Sequence, residues 1–237
     1  MERTIIPIEA CQEPCADCGV RSFSLCSVLD QAELRGFERL SHLVHIAPKS
    51  TLFLQDGLAD SVFNINEGVV RLYKLLPDGR RQIVGFALPG DFLGMGPADR
   101  YSFSADAVAP VVACRFSRTA FQRYVENKPH FLRRMNEFAN RDLNLAHDQM
   151  LLLGRRSADE KVASFLVGWR DRLERHGMPS KTLPLPMSRQ DIADFLGLTI
   201  ETVSRTFTRL ERDKVIIIVP GGVRLLDFKR VEALAAA

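Results

Sequence analysis

The chain has 237 residues, 46% of them hydrophobic and 26% charged, with a formal net charge of +3. These values lie near the globular average, so a fibrous or disordered class is excluded, and the length allows one large domain or two ordinary ones. From Met187 to Ala237 the basic residues number eight and the acidic ones seven, so any nucleic-acid argument must rest on placement rather than charge.

Met1 to Ala10 lacks the apolar core of a secretory signal, and no apolar run approaches the ~18 residues of a membrane span. A cytoplasmic protein with no membrane partner is expected. Next come four of the five cysteines: Cys11, Cys15, Cys18 and Cys26, in the order C-x3-C-x2-C-x7-C, with Cys114 far downstream. In a reducing compartment such a cluster, expected to lie in a loop, points to metal rather than to disulfides, and thiolates suit zinc or iron-sulfur centres. Five thiols exceed the four positions of a tetrahedral or cubane centre, so at least one is spare. The plainer alternative is that one or two are incidental and Cys114, within Val111 to Phe116, is a small buried strand residue.

An amphipathic helix is expected to start at Asp30. Short strands follow at Thr51–Leu54, Ser61–Ile65, Val69–Leu76 and Gln82–Leu88, the last two joined by a Pro77-Asp78-Gly79 hairpin turn. This spacing predicts an antiparallel barrel or jelly roll over 27–128, behind a cysteine-rich segment over 1–26.

The period then changes. A long helix is predicted over 129–156, with Phe138, Leu145 and Leu152 in steps of seven and Asp148 near that seam. The pattern suits pairing with a second copy of the chain; an intramolecular packing face is the alternative. A second amphipathic helix spans Ser157 to His176, inside a last domain over 157–237.

Ser188, with Asp191 three residues on, caps a helix that Gly197 ends, and another helix starts after Thr199. Val203, Phe207 and Leu210 share one face of that helix, leaving Glu201, Ser204, Arg205 and Thr208 on the other. This is a helix-turn-helix with a face free to enter the major groove. Arg205 can donate twice to guanine, Glu201 can accept from cytosine, and Ser204 can do either. Glu201 as a helix-capping carboxylate is the competing reading. Arg189, Thr202, Thr206 and Arg209 flank this face as phosphate contacts. Val215–Val219 and Val223–Leu226 form a hairpin wing. No histidine pair has metal-ligand spacing and no nucleophile motif is present, so an enzyme is not expected.

The N-terminal cysteines, GFALPGDFLG at Gly85–Gly94, Cys114, the helix ending in MLLLGRR, and DIADFLGLTIETVSRTFTRLE at Asp191–Glu211 resemble the Crp/Fnr superfamily over nearly the whole chain. Within it they resemble the oxygen-sensing FNR branch, close to the FixK and FnrN proteins of alphaproteobacteria. The resemblance implies an α+β architecture: an antiparallel β-roll sensor domain of the cyclic-nucleotide-binding type, a dimerisation helix and a C-terminal winged helix-turn-helix. It implies a homodimeric activator that binds a TTGAT-N4-ATCAA-type palindrome in double-stranded DNA and works with RNA polymerase. It assigns Glu201, Ser204 and Arg205 to base reading, and Cys15, Cys18, Cys26 and Cys114 to a 4Fe-4S cluster, with Cys11 spare. The seven residues before Cys26 match the FixK/FnrN branch rather than the five of the enterobacterial pattern. Relatives that bind cyclic AMP clamp its phosphate with an Arg-Ser pair, but here Phe103 stands where the arginine would be, so no cyclic nucleotide is expected. A cluster-free or zinc-stapled regulator, responding to thiol oxidation or controlled by its own abundance, is the alternative.

Overall fold

The computed structural model describes residues 15–96, 98–178 and 180–236; Cys11 lies outside the described residues. The chain divides into two compact units, Met1–Asn140 and Arg141–Ala237, the division falling inside the long helix. Among the described residues no helix is long and apolar enough to cross a membrane.

In the first unit, two 3-10 turns at Arg21–Phe23 and Leu25–Val28 lead into α1, Gln31–Glu38. Asp30 caps α1: its carboxylate accepts from the Glu33 amide at 2.8 Å while Glu33 accepts from the Asp30 amide at 3.2 Å, satisfying two amides that the helix leaves unpaired. Eight strands follow: β1 Ser41–Ile46, β2 Thr51–Phe53, β3 Ser61–Glu67, β4 Val70–Leu75, β5 Arg81–Ala87, β6 Phe92–Leu93, β7 Ser104–Ala107 and β8 Val111–Ser117. They make two antiparallel sheets, in the orders β1-β8-β3-β6 and β2-β7-β4-β5. This is the expected roll, and the β4–β5 hairpin turns at Gly79, whose φ of +83° favours glycine.

The inner strands β3 and β8 of the first sheet are largely buried on both faces, and strand alternation decides which residues go where. Val44, Ile46, Phe63, Ile65, Val111 and Ala113 face a core shared with Phe53, Val70, Ala87, Ala105 and Ala107 of the second sheet. On the opposite face Val62, Cys114 and Phe116 join Leu25, Cys26, Leu34 and Phe37, together with Phe121 and Val125 of α2 (Arg118–Val125). Phe131 and Phe138 at the start of α3 (Pro129–Arg155) complete that cluster.

The second unit contains α4 (Ala158–Arg175), β9 (Thr182–Pro184), α5 (Arg189–Leu196), α6 (Ile200–Arg212), β10 (Ile216–Val219), β11 (Gly222–Leu225) and α7 (Phe228–Ala236). The wing pairs β10 with β11 and adds β9 as a third strand. Gly222 permits that addition: a Cβ there would meet the Leu183 carbonyl oxygen at 2.2 Å. Trp169 of α4 is buried and donates its indole N–H to the Pro184 carbonyl at 2.8 Å. Lys161, also buried, donates to the Leu153 carbonyl at 3.1 Å, placing a cation where α3 leaves carbonyls unpaired.

The structure differs from the sequence expectation at the helix seam. Phe138 is 5% exposed inside the first unit and Leu152 is buried in the second, while Leu145 and Asp148 are exposed. The step-of-seven face thus packs within the chain at both ends. The apolar residues that α3 leaves exposed include Leu132, Leu143, Met150 and Leu151.

Candidate nucleic-acid interface and thiol cluster

The helix-turn-helix is built by local chemistry. The Ser188 hydroxyl oxygen accepts from the Asp191 amide at 3.1 Å, and the Asp191 carboxylate accepts from the Ser188 amide at 3.0 Å. Gly197 ends α5 in the left-handed region, φ 62° and ψ 40°, and a Cβ added there would also crowd a Leu153 methyl at 3.2 Å. Thr199 then caps α6, accepting from the Thr202 amide at 3.2 Å. Ile192, Ala193 and Leu196 of α5 and Val203, Phe207 and Leu210 of α6 are buried, so the outward face of α6 is fixed.

Glu201, Ser204, Arg205 and Thr208 are all exposed on that face. The Glu201 carboxyl is held below the usual range, first by its own backbone amide, then by the Thr199 hydroxyl and the Arg205 charge. The side chain thus stands in the first turn of α6 and faces outward, while Thr199 supplies the cap.

The flanking residues divide. Arg189 lays its guanidinium 3.4 Å from the centre of the Phe207 ring, and desolvation lowers its pKa. Thr202 is half-buried beside its cap. Thr206, expected at the phosphate flank, is 2% exposed and donates to Asp159 at 3.3 Å, so its hydroxyl is engaged inside the domain. Arg209 is exposed and paired with the same Asp159. The periodicity carried this signal: positions 203, 206, 207 and 210 share one face of a helix, and that face is the buried one.

The thiols gather in the first unit. Cys26 lies in the second 3-10 turn, its amide donating to the Ser24 hydroxyl at 3.1 Å. Cys26 and Cys114 are buried in the same cluster, and Cys15 packs against it. Burial pushes the Cys26 thiol up to about 12, and the charges Cys15 and Cys18 would carry as thiolates push the same way. Among the described residues no three cysteines, histidines or carboxylates stand close enough to hold a metal ion. The donor set nonetheless fits a thiolate-bound centre in kind and neighbourhood: Cys15, Cys26 and Cys114 are soft sulfurs that share one cluster. Sequence reasoning missed Asn66, whose side-chain amide donates to the Cys114 sulfur at 3.4 Å.

In the roll, Phe103 packs against the inter-sheet core with its ring 5.9 Å from Phe53. Beside it Asp106 accepts from Arg71 at 3.0 Å and from Thr51 at 2.8 Å.

Residues 185–216 match the family model described as bacterial regulatory proteins, crp family, and residues 43–128 match the cyclic nucleotide-binding domain. The transcriptional activatory protein AadR of Rhodopseudomonas palustris is 65% identical over 93% of this chain and 92% of its own length. The nitrogen fixation regulation protein FixK of Bradyrhizobium diazoefficiens is 59% identical over 100% of both chains. Among solved structures, FixK2 of Bradyrhizobium japonicum is 33% identical with a TM-score of 0.78, covering 83% of this chain and 98% of that one. Crp-family regulators are not enzymes; they bind DNA and act as dimers. By this identity and coverage, the chain belongs to the Crp/Fnr family of transcription regulators.

Proposed function

We propose that this chain is a cytoplasmic, homodimeric transcription activator that reads a TTGAT-N4-ATCAA-type palindrome, works with RNA polymerase and is controlled by oxygen. The observation that carries the reading is the joint exposure of Glu201, Ser204 and Arg205 on α6, whose other face is locked into the domain. Arg205 donates to guanine, with Glu201 and Ser204 beside it; Arg189, Thr202 and Arg209 fix register on phosphates. Thr206 contributes by holding Asp159 rather than by touching DNA.

Two half-sites about one helical turn apart require two recognition helices, so binding is tied to dimerisation. The face of α3 bearing Leu143 and Met150, seven residues apart and both exposed, is the surface for a second copy. Cys15, Cys18, Cys26 and Cys114 would hold a 4Fe-4S cluster, which when bound would supply an oxygen-labile centre. Around it Ser24 orders the Cys26 turn, and Arg21 closes the loop by donating to the Leu29 carbonyl at 3.1 Å. No cyclic nucleotide is part of this reading: Phe103, standing where the cyclic-AMP-binding relatives carry arginine, packs against the inter-sheet core.

The test is anaerobic purification, with iron, sulfide and visible absorbance measured alongside operator binding, before and after exposure to air. Iron and sulfide in the ratio of a 4Fe-4S cluster, with binding lost in air, is the expected result. Alanine at Cys15, Cys18, Cys26 or Cys114 abolishes the response, and Cys11→Ala keeps it. Anaerobic protein that lacks the band yet binds fully contradicts the oxygen-control part and favours a zinc-stapled or cluster-free regulator.

A further inference from the structure

The face of β3 that looks away from the roll interior carries two carboxamides where apolar residues would be expected. Asn64 pairs directly with Cys114 across the strands, and Leu43 stands opposite on the other side. The pairing of β3 with β8 then slips between Ile65 and Glu67, and this irregularity lets Asn66 reach back to Cys114. Its Nδ2 lies 3.4 Å from the sulfur, a normal length for an N–H···S bond. Asn64 is 2% exposed, and the Oδ1 atoms of Asn64 and Asn66 are buried without a hydrogen-bond partner.

Around them the buried cluster is Phe, Leu, Val and Cys, with Met95, Met135 and Tyr124 among the residues packed against it. Placing carboxamides there carries a desolvation cost, and a neutral thiol offsets little of it because it is a weak acceptor. An anionic sulfur changes the balance. The N–H···S contact becomes charge-assisted and orients the ligand from outside the coordination sphere.

We propose that Asn66 is a positioning residue that holds the Cys114 sulfur as an anionic ligand. The inference rests on the reading of Cys114 as a cluster ligand. An N–H donor withdraws electron density from a ligating sulfur, so its loss lowers the energy of the sulfur-to-iron charge-transfer band as well as loosening the ligand. Loosened packing alone would not move the band.

The test uses the full-length protein with its cluster reconstituted anaerobically. It records the rate of iron loss to a ferrous chelator and the position of the visible band. Asn66→Leu keeps the volume and removes the donor, Asn66→Asp keeps the shape and replaces the donor with an acceptor, and Asn66→Gln keeps the donor. The Leu and Asp variants should lose iron about tenfold faster, the factor that one hydrogen bond to a charged group supplies, with the band shifted to the red. The Gln variant should stay near the original protein on both measures. If the Leu variant does not fold, the isosteric Asp variant carries the comparison. Unchanged rates, or faster loss with an unmoved band, overturn the inference and leave the cluster reading intact. An original protein that takes up no iron-sulfur band overturns both.

Discussion

Replacing Leu143 with aspartate should break the dimer, whereas the same change at Leu145 should not. Leu143 is 52% exposed and Met150 65%, and they fall a heptad apart on one side of α3. Leu145 lies two residues on, about 200° around a helix from Leu143, on the side whose ends at Phe138 and Leu152 are buried in the chain. The exposed half of a leucine is about 90 Å² of mostly apolar surface, worth about 2 kcal/mol when covered. A two-fold interface counts it twice, so Leu143→Asp should cost about 4 kcal/mol, or roughly a thousandfold in dimer affinity. Two carboxylates facing each other across the axis would add to this. Sedimentation of the DNA-free protein across a dilution series measures the effect, and operator binding should fall with it. If Leu145→Asp yields monomers while Leu143→Asp remains dimeric, the face assigned to the second copy is wrong and the step-of-seven seam is restored.

Other consequences follow from the second unit. Arg189→Ala removes the guanidinium from the face of Phe207 and should destabilise the domain by about 1 kcal/mol, read by thermal denaturation, with Arg189→Lys intermediate. Asp159→Ala leaves the buried Thr206 hydroxyl without its acceptor and should cost about 1 to 2 kcal/mol by the same measurement. Glu201 should titrate below the ordinary glutamate range. Because its pKa is depressed in the folded chain, the stability it contributes is present above the ordinary value and is lost as pH falls through the lowered one. The protection of the amides in the first turn of α6, taken relative to their intrinsic exchange rates at each pH, should therefore fall on acidification, and Glu201→Gln should remove that dependence.

What could be read from the residues was what local chemistry decides. Ser188, Gly197 and Thr199 mark the ends of α5 and α6 because capping and a left-handed turn are properties of a few consecutive residues. The Pro77-Asp78-Gly79 turn places β4 against β5 for the same reason. The seam of α3 was legible as a period but not as an assignment. The helix carries apolar residues on two sides, and spacing does not say whether Phe138 or Leu143 meets a second copy. β7, Ser-Ala-Asp-Ala, alternates over only four positions with nothing larger than alanine on its apolar side, too little to announce it, and is a strand because its neighbours pair with it. Asn66 gave no signal at all: its meeting with Cys114 depends on strand register across 48 positions of chain.

The central claim is that α6 reads bases through Arg205. The most direct measurement is the affinity of the original protein and of Arg205→Ala for a TTGAT-N4-ATCAA duplex, and for one with the guanine pair of each half-site replaced, at one fixed salt concentration. The account predicts that the original protein loses roughly a hundredfold or more across the two half-sites, while Arg205→Ala binds both duplexes weakly and alike. An Arg205→Ala protein that still prefers the intact palindrome by the full factor would contradict it.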